Sequence, residues 1–143
     1  MTNLHLEVPD DDQTLDIVKK YYQFQIESGG YDSSTAIEDR RDYQQFRERF
    51  EKYNKFRLSE RITNPIREVS GWELESIAET YGNEDWTVSN EEGLSKLIEQ
   101  FEISREDLDN SRDLDESTNH AIQKCLNLIR FAKERGYGVT LAP

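Results

Sequence analysis

The order of apolar and polar positions predicts a chain built mainly from amphipathic helices. The longest helical segment is 37–58, where aromatic residues recur at spacings of three and four without an intervening Gly or Pro. We expect a central helix here, extending as far as Arg61, with its aromatic face in the core. That face carries Tyr43, Phe46, Phe50 and Tyr53.

Further segments show the same helical spacing of apolar residues. Ser70 and Ser89 each precede such a segment and are followed three positions later by a glutamate, which is the pattern of a capping box. Ser104 begins a shorter apolar segment, and Gly136 follows the last one, as is typical of a helix C-terminus. The predicted helices besides the central one cover about 14–27, about 71–81, a segment around 94–101, a short segment from Ser104, and about 117–135.

Both ends of the chain show the alternation of a β-strand. Apolar and polar residues alternate over 3–8 until Pro9 stops the pattern, and they alternate again over 137–141. Because chain termini often lie close together, these strands can pair as a two-stranded ribbon packed on the helices. The predicted fold is therefore mainly α: a compact bundle of five or six helices in one acidic domain, 1–143, with this ribbon at its ends.

The charge distribution limits the classes of partner. The formal net charge is −12, and the segment 68–120 alone carries −13, while 35–67 and 121–143 each carry +3. Direct binding to nucleic acid needs a basic surface, so it is disfavoured, and so is binding to anionic membranes. The acidic and basic segments can compensate one another on the surface, or 68–120 can present a separate negative surface to a partner.

The sequence contains no recognisable catalytic, nucleotide-binding or metal-binding motif. A phosphate-binding loop, a dinucleotide fingerprint and a zinc-protease motif are all absent. The single cysteine, Cys125, lies in an apolar helical pattern and is expected to be buried, and His120 is five positions away, which is unsuitable for pairing on a helix. We therefore expect no cofactor, no bound metal and no catalytic residue, so the protein is predicted not to be an enzyme.

The start of the chain has neither the basic nor the apolar region of a signal peptide. The sequence also contains no apolar run of membrane-spanning length. These observations predict a cytoplasmic protein without a membrane partner.

The leading hypothesis is a non-catalytic protein-binding module with a carboxylate-rich surface. Its carboxylates would occupy the place of phosphates on a basic or nucleic-acid-binding protein, as in the small acidic inhibitors of phages and mobile elements. This comparison rests on charge and size alone. The candidate partner-binding residues are Glu84, Asp85, Glu91, Glu92, Glu99, Glu102, Glu106 and Asp107.

Two alternatives use other parts of the chain. A helical adaptor would bind its partner through the aromatic face of the central helix. A binder of small anionic ligands would use the arginine-rich central helix together with the two tryptophans, which are otherwise expected to anchor the core or a loop. The residues of that alternative ligand site are Arg40, Arg41, Arg47, Trp72 and Trp86.

Overall fold

The computed structural model of the protein describes residues 1–7 and 57–143, and the structural statements that follow concern those residues. They form three helices and a sheet of four strands. In chain order the elements are β1 (Asn3–Glu7), β2 (Arg57–Arg61), α1 (Asn64–Tyr81), β3 (Thr87–Val88), α2 (Glu91–Asn110), α3 (Glu116–Arg135) and β4 (Gly138–Ala142).

The sheet is organised around the two ends of the chain. Its strand order is β2-β1-β4-β3, and β4 runs antiparallel to both β1 and β3. Leu4 lies opposite Leu141, and Leu6 lies opposite Val139. The predicted pairing of the terminal strands is therefore confirmed, although the two strands form the centre of a larger sheet and not an isolated ribbon.

One face of this sheet is apolar and packs against α3. Leu4, Leu6, Val88, Val139 and Leu141 are buried, and they occupy alternate positions along their strands. Helix α3 contacts both β1 and β4. A continuous row of buried apolar residues on α3 completes this part of the core: Ile122, Cys125, Leu126, Ile129 and Ala132.

Helices α1 and α2 form an antiparallel pair with a polar contact in its middle. The hydroxyls of Ser70 and Ser104 lie 2.5 Å apart and are fully buried, and the side chain of Gln100 donates to Ser70 at 2.8 Å. The small serine side chains allow close approach while their polar atoms remain hydrogen-bonded. Helix α2 also packs against α3.

The helix ends are stabilised by side chains that the sequence places there. The Asn90 side chain accepts a hydrogen bond from the backbone N–H of Gly93 at 2.6 Å, which caps α2. Asp115 caps α3 in the same way through Thr118. The hydrogen bond from the Thr118 backbone, followed by that from its hydroxyl, lowers the pKa of the Asp115 carboxyl.

The prediction of an all-α bundle of five or six helices is wrong. The described part of the chain has three helices and a four-stranded antiparallel sheet. Strand β3 has two residues, and β2 coincides with the end of the segment predicted to be helical, so both are defined by pairing with neighbouring strands. Long-range pairing of this kind overrides local helix propensity.

Three predicted helix boundaries, at Ser70, Ser89 and Ser104, are also wrong. Ser70 and Ser104 lie within α1 and α2, because their hydroxyls bond across the helix interface and not to a helix terminus. Helix α1 begins instead after Thr63, with Pro65 in its first turn. Asn90, and not Ser89, caps α2.

The predicted central helix lies outside the described residues, except at its end. There, Arg57–Arg61 is a strand and not the continuation of a helix. The predicted helix over about 14–27 also lies outside the described residues. Residues 1–7 and 59–143 form one compact unit, and the assignment of 1–143 to a single domain stays a prediction.

Two glycines inside helices are expected to respond oppositely to alanine. Of the described residues, a Cβ on Gly71 would meet only Arg67, whose Cβ would be 3.7 Å away, so Gly71→Ala should raise the free energy of unfolding by about 0.5–1 kcal/mol. A Cβ on Gly93 would lie 2.6 Å from side-chain atoms of Tyr81 and Val88. Gly93→Ala should therefore lower the free energy of unfolding by about 1–3 kcal/mol.

Urea denaturation of the wild type and both variants measures this difference directly. The two substitutions remove the same backbone freedom, so each serves as the control for the other. Changes of the same sign would contradict the packing described around these two positions.

Candidate functional site

The outward face of α1 combines a tryptophan with three glutamates. Ile66, Ser70, Leu74 and Ala78 are buried at intervals of four residues, so the opposite side of the helix faces solvent. That side carries the outer stripe of α1, which we define as Glu68, Trp72, Glu75 and Glu79. The Trp72 side chain is 76% exposed. Its prediction as a core or loop anchor is wrong.

An open cleft of about 480 Å³ lies beside Trp72. Gly71, Trp72 and Arg67 of α1 line this cleft, and Met1 lines it as well. The remaining lining residues are Asn64, Glu68 and Glu75. The guanidinium of Arg67 donates a hydrogen bond to the Asn64 side chain. The cleft therefore combines an aromatic surface, two carboxylates and one arginine that already has a partner.

The acidic residues predicted on α2 are all exposed. Leu94, Leu97, Phe101, Ser104 and Leu108 are buried. The opposite side of the helix faces solvent, and we call it the outer stripe of α2. It includes the apolar residue Ile103, which is 38% exposed. We define this stripe as Glu92, Lys96, Glu99, Ile103 and Glu106. Glu91, Glu102 and Asp107 flank it.

Few of these carboxylates have a basic partner. Lys96 lies 3.9 Å from Glu99, and Arg130 of α3 lies 2.7 Å from Glu102. Both pairs are exposed, where such contacts contribute little to stability. Over residues 1–7 and 57–143, Glu91, Glu92 and Glu106 form no ion pair. Among the described residues, this face of α2 therefore carries negative charge with little compensation.

Glu84 and Asp85 lie in the loop that joins α1 to β3. The side-chain oxygen of Asn83 accepts from the backbone N–H groups of Asp85 and Thr87, at 2.9 and 3.0 Å, and so fixes the turn. Trp86 is half-buried in this loop with a φ of 60°, and its carbonyl accepts from Leu141 of β4 at 3.2 Å. Trp86 therefore anchors the loop, while the two carboxylates remain in solvent.

The alternative ligand site is only partly within the described residues. Arg40, Arg41 and Arg47 lie outside them. Trp72 and Trp86 are on different elements, and Trp86 does not line the cleft beside Trp72. The described part of the chain thus brings none of the proposed ligand residues together.

A polar row crosses the other face of the sheet, and the sequence did not reveal it. Ser59 bonds to the Nδ1 atom of His5, and Thr140 lies opposite His5 on the neighbouring strand. The Thr140 hydroxyl donates to Glu7 at 2.7 Å and lies 2.6 Å from the hydroxyl of Thr87. Cross-strand polar pairs of this kind stabilise strand register. The alternation of β1 and β4 is visible in the sequence, but their register is not.

Cys125 is buried, as predicted, and is not a candidate nucleophile. Its side chain has no exposed surface. Burial, with a smaller effect from the charge of Glu60, raises the pKa of the thiol far above its ordinary value, so the reactive thiolate is suppressed. In residues 1–7 and 57–143, no group of three or more His, Cys, Asp or Glu side chains is placed to hold a metal ion.

None of the helices described above has the length and apolar composition needed to cross a membrane. No protein-family model, curated protein or solved structure matches the chain. Function is therefore inferred from the geometry and charge of the described surface.

Cys125 supplies a test of this core. We expect the native protein to resist a thiol reagent at neutral pH and to react fully once unfolded in urea, because the thiol is buried and protonated. The measurement is the rate of reaction with dithionitrobenzoate, and a Cys125→Ser variant gives the background. Rapid modification of the native protein, at the rate of the unfolded chain, would contradict the described packing of α3.

Proposed function

We propose that the protein is a non-catalytic binding module that uses the outward faces of α1 and α2 to hold a basic surface of a partner protein. The observation that supports this proposal most directly is the set of exposed carboxylates on these helices with few basic partners. Segment 68–120, which contains all of α2 and α1 from Glu68 onward, carries three Lys or Arg against sixteen Asp or Glu.

Concentrated charge of this kind acts mainly on recognition and association rate. A negative surface attracts a basic partner over a distance of several ångströms and rejects other acidic surfaces. Because exposed charges are screened by salt, binding should weaken as ionic strength rises. The helices hold the carboxylates in place, so less side-chain and backbone freedom is lost on association than with a disordered acidic segment.

The proposed partner is a protein that handles nucleic acid. Proteins of that class carry basic grooves that neutralise phosphates, and rows of carboxylates along α2 can occupy such a groove. The protein then acts as an inhibitor that competes with nucleic acid in the cytoplasm, as small acidic proteins of phages and mobile elements do. Size and charge support this comparison.

The adaptor hypothesis depends on Tyr43, Phe46, Phe50 and Tyr53. These residues lie outside the described part of the chain, so that hypothesis stays a prediction without a structural observation in its favour. The acidic-surface proposal, in contrast, rests on residues with defined exposure and neighbours.

The proposal is tested by removing charge from the outer stripe of α2 and from Glu91, which flanks it. A variant with Glu91, Glu92, Glu99 and Glu106 changed to glutamine should bind the partner roughly tenfold more weakly at low salt, because four attractions of a few tenths of a kcal/mol are lost. The partner is first captured from extract and purified, and binding of each variant is then measured by calorimetry across a range of salt concentrations.

A matched variant separates local charge from net charge. Asp109, Asp113, Glu116 and Glu134 are also exposed, and changing them to amides alters the net charge by the same amount. This control should bind as the wild type does, and DNA should compete with the wild type for the partner. Equal binding by wild type and the α2 variant, with the same dependence on salt, would refute the proposed function.

A further inference from the structure

We propose that the cleft beside Trp72 binds a lysine or arginine side chain from a basic segment of the partner protein. This inference rests on the proposed function and names the part of the surface that gives it a specific anchor. It joins three independent features of α1: an exposed tryptophan, a helical glycine without a packing role and a pair of carboxylates.

Packing among the described residues does not explain why the Trp72 side chain is exposed. Tryptophan is usually largely buried, and an exposed one exposes a large apolar surface to water. Trp72 and Ile103 are the exposed large apolar residues of the described chain. Tryptophan is also the aromatic side chain that attracts cations most strongly and a frequent anchor of protein interfaces.

Gly71 keeps the cleft beside Trp72 open. Glycine in a helix interior lowers stability, so its presence usually reflects a close contact that a side chain would block. Within residues 1–7 and 57–143 there is no such contact, since a Cβ on Gly71 would lie 3.7 Å from the Cβ of Arg67, an ordinary separation. The absent side chain instead leaves space for an incoming group in the cleft.

The charges around Trp72 favour a cation. With about 100° between successive residues, Glu68, Glu75 and Glu79 lie within about 60° of Trp72 around the helix axis. Arg67 lies about 140° away and donates to Asn64. A cation on the Trp72 ring would thus have carboxylates one turn before it and one turn after it on α1, while Arg67 projects from another side of the helix.

The size of the cleft fits a peptide segment. A volume of about 480 Å³ is within the range of sites that enclose small ligands, so the cleft can hold a long basic side chain with part of the adjoining backbone. The carboxylates of the outer stripe of α2 would then attract the rest of the basic segment.

The experiment uses the full chain and a fluorescein-labelled nona-arginine peptide, with binding measured by fluorescence anisotropy. Trp72→Ala should raise Kd about tenfold through loss of the cation–π contact. Gly71→Leu, which fills the cleft, should raise Kd to a similar extent. Trp72→Phe should recover most of the affinity. Ile103→Ala, the matched loss of an exposed apolar side chain on α2, should change Kd less than twofold.

A second measurement reports on the ring itself. In a Trp86→Phe background, the remaining tryptophan is Trp72, and its emission should change when nona-arginine binds. Unchanged emission, unchanged Kd in Trp72→Ala, or binding of nona-glutamate in place of nona-arginine would each overturn the inference. If Trp72→Ala binds normally while the α2 variant loses the partner, the cleft assignment fails and the proposed function stands. If the α2 variant keeps the partner unchanged, the proposed function fails.

Discussion

The pairing of the two chain ends determines the rest of the described structure. With β1 beside β4, Leu4 and Leu6 share one face with Val139 and Leu141, and α3 can bury that face. A shift of one residue in this register would turn the apolar side chains to the opposite face, so hydrophobic burial specifies the pairing strongly. Strand β4 also pairs with β3, which lies in the connection between α1 and α2. The surface with the candidate site is thus linked to the start and the end of the chain.

Local sequence signals predicted some elements well and others poorly, for identifiable reasons. The alternation near both termini predicted β1 and β4, and the spacing of apolar residues together with Gly136 predicted α3. Strands β2 and β3 carry no comparable signal, because their neighbours in the sheet define them. Ser70 and Ser104 resembled helix starts because serine is common at helix N-caps. Serine also occurs where two helices pack closely, and only the tertiary contact between these two hydroxyls shows that they have this second role.

The candidate site could be predicted in part. The carboxylates of α2 were expected at the surface from their charge, and the structure places them there. Exposure of Trp72 was not predicted, because tryptophan at helical spacing normally belongs to the core. One signal was present in the sequence: Gly71 precedes Trp72 in a segment with helical periodicity, where glycine is unfavourable. Together these two residues distinguish the outward face of α1 from an ordinary solvated helix face.

The most direct test of the central claim is the register of β1 against β4 in solution. Nuclear Overhauser effects between backbone protons of the two strands measure it without altering the protein. The structure predicts cross-strand contacts that join Leu4 to Leu141 and Leu6 to Val139. Absence of these contacts, or a set shifted by one residue, would contradict the sheet, the burial of its apolar face against α3 and the surface derived from them.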